Sequence, residues 1–387
     1  MSGSWYNKFR RITSNQLYFP EIDGIRFLAI VLVILFHTHG YFTRKIHVTY
    51  ADAPQSHEWI DNFLSKGDRG VELFFVLSGF ILCLPFAHQF INKGKQIILK
   101  KYYLRRLTRL EPPYILAMTG IFLLQLLKHI YPASILVPHW LASLAYVHGV
   151  VYHMTPILTV VAWSLEVEIQ FYIIAPLLFH ILSMPRVMRR VILFTLIVGF
   201  TFLQAHYQPF SYGLTLYNFI QFFLTGILLA DFYVSNSGAD VLRQKWVVLL
   251  GIMLLAGICL LPVKTEFTAR LFFPLMIGLF YLIVMKNDIV KSIFSYKAIP
   301  VIGGMCYSIY LLHYTIISVA GRYTIHIRMT NYYLPNLLLQ IILLAIPILA
   351  FSTAFYYYIE RPFMDNKWMK MLMKKDKSTD GEATGNI

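Results

Sequence analysis

Charge is scarce in this chain. Only 14% of its residues are Asp, Glu, Lys or Arg, against 57% hydrophobic, and the mean hydropathy is +0.59. That balance excludes a soluble globular domain and marks an integral membrane protein. Cysteine is nearly absent too. Cys83, Cys259 and Cys306 stand apart in apolar runs, form no CxxC pair and supply no disulfide framework. They read as small buried hydrophobes. The signatures of soluble enzymes are missing as well. There is no Walker loop, no GxGxxG behind a strand, no HExxH and no GxSxG. No internal repeat is evident, which argues against transporters built from repeated halves. A long polar lead precedes the first apolar run, and no small-residue cleavage site follows it, so that run reads as a retained span rather than a signal peptide.

What is present is apolar length. With about 20 residues to a span, ten helices are expected, near 25–41, 70–91, 112–130, 156–182, 191–204, 213–234, 246–262, 270–285, 301–320 and 335–359. The fold class is therefore all-α, a polytopic membrane helix bundle. With both termini on one side, that side collects 24 of the 34 Lys and Arg, and the positive-inside rule places it in the cytoplasm. Three regions follow. Residues 1–24 form a cytoplasmic N-terminal segment, 25–363 a transmembrane domain, and 364–387 a basic cytoplasmic tail. The tail opens amphipathically at Lys367-Trp368-Met369-Lys370, suited to an anionic inner leaflet. The net charge of +15 is mostly this asymmetry. Nucleic acid is not an expected partner, because the basic residues are spread over membrane-flanking loops.

A few polar residues interrupt the apolar runs, and buried polar groups in a membrane are functional candidates by default. Arg26 and His37 lie eleven residues apart in the first span. That is about three helical turns, so they share a face roughly 16 Å apart along the axis. Asp23 is spaced to pair with Arg26. Glu72 enters the second span within Gly70-Val71-Glu72. It reads either as an interfacial carboxylate or as a group that orients a histidine. Arg105, Arg106 and Arg109 precede a Pro-started span. They read either as a phosphate-binding patch or as a topology determinant. In the fourth span Trp163, Glu166, Glu168, Gln170 and Tyr172 cluster. Glu166 and Glu168 point about 200° apart on a helix, so one should face a cavity and the other a structural partner. Glu168 and Tyr172 share a face. Tyr310 and His313 are placed to hydrogen-bond inside the bundle, and Glu360 closes the tenth span within reach of the basic loops. His37 and His39 diverge on a helix, and no metal is expected.

Taken together and in this order, these clusters resemble the membrane-bound acyltransferase-3 family of O-acyltransferases. The carriers are Asp23-Gly24-Ile25-Arg26 with His37, the Gly70–Phe80 segment, Arg105-Arg106 with Arg109 and Pro113-Tyr114, Trp163-Ser164-Leu165 with Glu168, Gln170 and Tyr172, Tyr307–His313, and Glu360-Arg361-Pro362-Phe363. The family usually has Asp at Glu72, paired Glu residues around Glu168, and a small or polar residue at Glu166. Some members carry a fused soluble esterase-like domain, and this chain reads as the membrane unit alone.

The resemblance implies a multi-pass protein of a bacterial plasma membrane. It implies an acyl-CoA co-substrate, most often acetyl-CoA, no permanently bound cofactor, and a hydroxyl acceptor on a surface or lipid-linked glycan. His37 would serve as general base, with Arg26, Glu72 and Glu168 as its catalytic companions. Arg105, Arg106 and Arg109 would hold the donor, and Asp23, Trp163, Gln170, Tyr172, Tyr310 and His313 would support the site. Direct transfer and an acyl-histidine intermediate both remain open, as do the acceptor, the acyl chain and the oligomeric state. The rival class is a transporter or flippase that moves a glycolipid or acyl group without chemistry.

Overall fold

The computed structural model describes residues 18–45, 50–52, 57–207 and 213–364. The N-terminal basic residues and the amphipathic tail lie outside these. Among the described residues every regular element is helical. Eight helices are long and apolar enough to cross a membrane, or nine if one bent pair is a single span.

The first helix, α1 (Pro20–Lys45), begins on a proline, carries Glu21 and Asp23 in its first turn, and ends on Arg44 and Lys45. Each charge complements the helix dipole. A short outer helix, α2 (Glu58–Ser65), leads into α3 (Arg69–Ile91). Then come α4 (Leu99–Leu127), the short α5 (Ala133–Leu144) and α6 (His148–Tyr152), and α7 (Ala162–Phe179). The second half holds α8 (Arg186–His206), α9 (Leu216–Val234), α10 (Val247–Leu260), α11 (Phe267–Lys286), α12 (Asp288–Phe294), α13 (Ala298–Gly304), α14 (Cys306–Thr324) and α15 (Tyr333–Phe355). All ten expected spans correspond to helices. The connection near 131–155, expected as a loop, instead carries the apolar α5.

Two spans depart from a simple rod. The seventh, α10, has 14 residues, about 21 Å at the α-helical rise, short of a ~30 Å hydrocarbon core. It still joins the two ends of the bundle. At its C-terminus the guanidinium of Arg69 donates to the carbonyls of Ile258 and Leu261, and Lys66 Nζ donates to Leu260 at 2.6 Å. Before its N-terminus the side chain of Asn287 donates to the carbonyls of Leu242 and Gln244 at 2.8 and 3.1 Å. The orphan carbonyls of a short helix are thus met by cations on α3 and its lead-in. The ninth span is the broken pair α13–α14, bent by 72°.

Close packing is set by glycine. Gly79 of α3 and Gly226 of α9 face one another's backbone, and no Cβ fits at either. Around that seam Phe75, Phe171 and Phe223 stack at 4.8 and 4.1 Å between centroids.

Candidate functional site

Four helices and a bend bring polar side chains into the interior. Arg26 is 9% exposed and donates to Asp23 one turn earlier. Gly303 of α13 lies against the backbone of Asp23, and Gly24 against that of Phe294, so neighbouring elements clamp this turn. On α3, Ser78 sits next to the Gly79 seam and donates to Glu168 Oε1 at 2.7 Å. Tyr172, one turn beyond Glu168, donates to the same oxygen. The Ser78 and Tyr172 bonds hold the Glu168 carboxylate on the cavity face of α7.

Arg26, Ser78, Glu168 and Tyr172 line a cavity. Arg106 and Arg109 of α4 reach into it, and so does Glu360. Glu360 was read as a partner for the basic loops. Its Oε2 accepts from the backbone N and the hydroxyl of Ser308, at 3.1 and 2.5 Å. A five-residue π-helical turn, Tyr356–Glu360, follows α15 and carries it there. Such turns recur where a side chain must be re-aimed at a site. Tyr310 and Ser164 also line the cavity. Their hydroxyls are 2.5 Å apart, and Tyr310 also donates to the Val161 carbonyl at 3.2 Å.

His37 is not part of the cavity lining. Its ring packs against His313 and Tyr314 of α14, with centroids 5.2 and 5.1 Å away. His313 in turn lies 5.6 Å from the ring of Tyr310. Arg26 and His37 therefore mark two levels of one helix, one in the cavity lining and one outside it.

Several sequence-predicted residues fall elsewhere. Arg105 is absent from the lining, and the i,i+3 pair Arg106 and Arg109 enters it instead. Glu72 is also absent from the lining, and its Oε2 is buried without a hydrogen-bond partner. Trp163 packs on Phe75 and Phe219 as part of the aromatic core. Gln170 accepts from the backbone N of Leu216 at 3.4 Å, a weak tie between α7 and α9. Tyr310 and His313 share no side-chain bond, since His313 Nδ1 meets the carbonyl of Tyr310 at 2.8 Å.

Glu166 takes the structural role that the 200° divergence requires. It is 3% exposed, and its Oε2 accepts from the backbone N of Gly149 at 2.8 Å, in the first turn of α6. Beside it His148 meets His139 at 2.7 Å between ring nitrogens. Burial and the neighbouring His139 lower the pKa of His148 to about 4. Sequence reasoning gave no polar role to Ser78, or to Ser164, which entered only within the Trp163-Ser164-Leu165 motif. Their spacing to Gly79 and Glu168 on a helical face was the available signal. Among the described residues no group of three or more His, Cys, Asp or Glu is placed to hold a metal.

The fold and site define an integral multi-pass membrane protein with a buried, arginine-flanked cavity among its spans. The chain belongs to the acyltransferase-3 family, an acyltransferase domain whose family pattern matches residues 19–357. It is 26% identical over 338 residues to the peptidoglycan O-acetyltransferase OatA of Listeria monocytogenes, covering 79% of this chain and 50% of that protein. It is 24% identical over 375 residues to the O-acetyltransferase OatA of Staphylococcus aureus, covering 89% and 57%. A putative O-acetyltransferase of Staphylococcus aureus is 25% identical over 384 residues, with 89% and 57% covered. The chain thus spans about half the length of the curated relatives it matches. No solved structure matches it.

Proposed function

We propose that this chain is a membrane O-acyltransferase. It moves an acyl group, acetyl in the first instance, from cytoplasmic acyl-CoA to a hydroxyl of a surface or lipid-linked glycan in a bacterial plasma membrane. The observation that carries this reading is the cavity itself. It pairs Arg106 and Arg109 with Arg26, and its lining includes Tyr310, two rings from His37. Guanidiniums are the natural partners of the donor's phosphates, because their planar forks match phosphate oxygens. The likeness to a peptidoglycan O-acetyltransferase and to a second O-acetyltransferase supports the acceptor and the acyl class.

In the proposed step His37 takes the proton of the acceptor hydroxyl. The oxygen bonds to the thioester carbonyl carbon as the carbonyl electrons move onto its oxygen, while Arg26, about three turns from His37 on α1, joins Arg106 and Arg109 around the donor's phosphates. The carbon–sulfur bond then breaks, and the thiolate leaves with the proton held by His37. Tyr310 of the lining lies 5.6 Å from the ring of His313, which packs on His37, so the two sites are linked through α14.

The test is release of free CoA by the purified protein, with and without membrane glycan. CoA release that depends on glycan and disappears in His37→Ala supports the reading. Full transfer by His37→Ala would sink the base assignment. Glycan or acyl movement without any CoA release would move the chain to the transporter class.

A further inference from the structure

His37 has ring contacts with Phe36, His313 and Tyr314. A general base normally needs a second group to fix its tautomer and hold its ring. Neither carboxylate anticipated for that task is arranged to serve. Glu168 is committed to Ser78 and Tyr172, and Glu72 has a buried oxygen without a partner.

His313 has the required features. It is 0% exposed. Its Nδ1 lies 3.1 and 2.8 Å from the carbonyls of Ile309 and Tyr310. Carbonyls only accept, so Nδ1 carries the proton and Nε2 is left with a bare lone pair. That Nε2 is buried and without a hydrogen-bond partner. An orphan acceptor in a bundle interior is costly, and it marks a place where a donor is expected. The ring nearest to it among the titratable groups is His37, with centroids 5.2 Å apart and planes tilted by 48°. No hydrogen bond joins the two rings as they stand, and at this centroid spacing a turn of the His37 ring brings one of its nitrogens within reach of Nε2.

We propose that His313 is the positioning residue for His37. When the His37 ring turns toward it, Nε2 accepts the N–H of His37, which fixes the tautomer and leaves the other His37 nitrogen, as a lone pair, for the acceptor hydroxyl. When His37 takes the hydroxyl proton, both its nitrogens carry protons, and the bond to His313 holds the cation without a neighbouring carboxylate. No proton passes to His313, whose own N–H stays on the α14 backbone. The proposal rests on the reading of His37 as the base.

The experiment uses the full chain purified in detergent and follows CoA release with saturating glycan. His313→Phe keeps a buried ring and removes the acceptor nitrogen. It should lower kcat by about 10- to 100-fold, the usual cost of losing such an orienting partner, with donor KM within about twofold of wild type. His313→Gln supplies an amide oxygen as acceptor and should recover about tenfold of that loss. A purely structural role would lower stability and leave Phe and Gln alike. Equal impairment of the two variants, a wild-type kcat in His313→Phe, or a loss confined to donor KM would overturn the proposal. A nitrogen-15 spectrum of labelled histidine in the wild-type protein needs no variant to fold. It should show a hydrogen-bonded N–H···N pair that disappears in His37→Ala, and its absence would also overturn the proposal. If His37→Ala itself stays active, the base assignment fails. If His37→Ala is inactive and the His313 variants behave alike, only the positioning role fails.

Discussion

Replacing Gly303 by Ala tests whether the clamp on the Asp23–Arg26 turn positions the site. A methyl at Gly303 would meet the carbonyl oxygen of Asp23 head-on, with the Asp23 carbonyl carbon at 2.7 Å and the Phe27 nitrogen at 3.0 Å. Ordinary carbon contacts are about 3.5–4.0 Å, so α13 and α1 must separate by about 1 Å. The obstacles are backbone atoms, which cannot swing aside as a flexible side chain does. Overpacking of this kind costs about 1–3 kcal/mol. At roughly 2 °C per kcal/mol that lowers Tm by about 2–6 °C. The functional effect should be larger, because Arg26 is carried by the displaced turn. A misplacement of about 1 Å costs on the order of 100-fold in rate. Thermal unfolding in detergent and CoA release would be measured side by side. Gly120→Ala is the control, since nothing lies within 4 Å of its new methyl. A Gly303→Ala protein matching Gly120→Ala in both Tm and rate would refute the reasoning.

Two further outcomes are expected. Arg106→Ala and Arg109→Ala should each raise donor KM by about tenfold or more, the scale of one charge-assisted hydrogen bond. Arg105→Ala should change it less than about threefold, and an equal effect at all three positions would return them to a topology role. His148, outside the spans, is held near 4 by burial and His139. The unfolded chain would take up a proton there near the ordinary histidine value of about 6.5. Stability from this group is therefore complete above that value and is lost as pH falls from about 6.5 toward 4. Tm measured across that window should fall more steeply in wild type than in His148→Gln, and parallel curves would remove His148 as the cause.

Much of the architecture was legible in the chain. All ten apolar runs are helical, eight or nine of them long enough to cross, because a bilayer leaves a backbone no other way to satisfy its hydrogen bonds along a single span. The broken pair α13–α14 and the shortened α10 were not legible. Hydropathy counts apolar length, and neither a 72° bend nor a carbonyl capped by Arg69 from a distant helix changes that count. On one helix, angular spacing is dependable. It separated Glu166 from Glu168 and placed Tyr172 with Glu168, and the structure has Glu166 on Gly149 and Glu168 on Tyr172.

What the sequence determined by itself is the membrane class, the family resemblance and the face each polar residue occupies on its own helix. These follow from hydropathy and a 3.6-residue period, both local properties. The tertiary structure decided which faces meet. It put Arg106 and Arg109 into the cavity without Arg105, brought Glu360 to Ser308 through a π turn, and set His313 rather than a carboxylate against His37. Those outcomes depend on helix rotation and on glycine contacts such as Gly79–Gly226 and Gly303–Asp23, which join positions far apart in the chain. No local period records them.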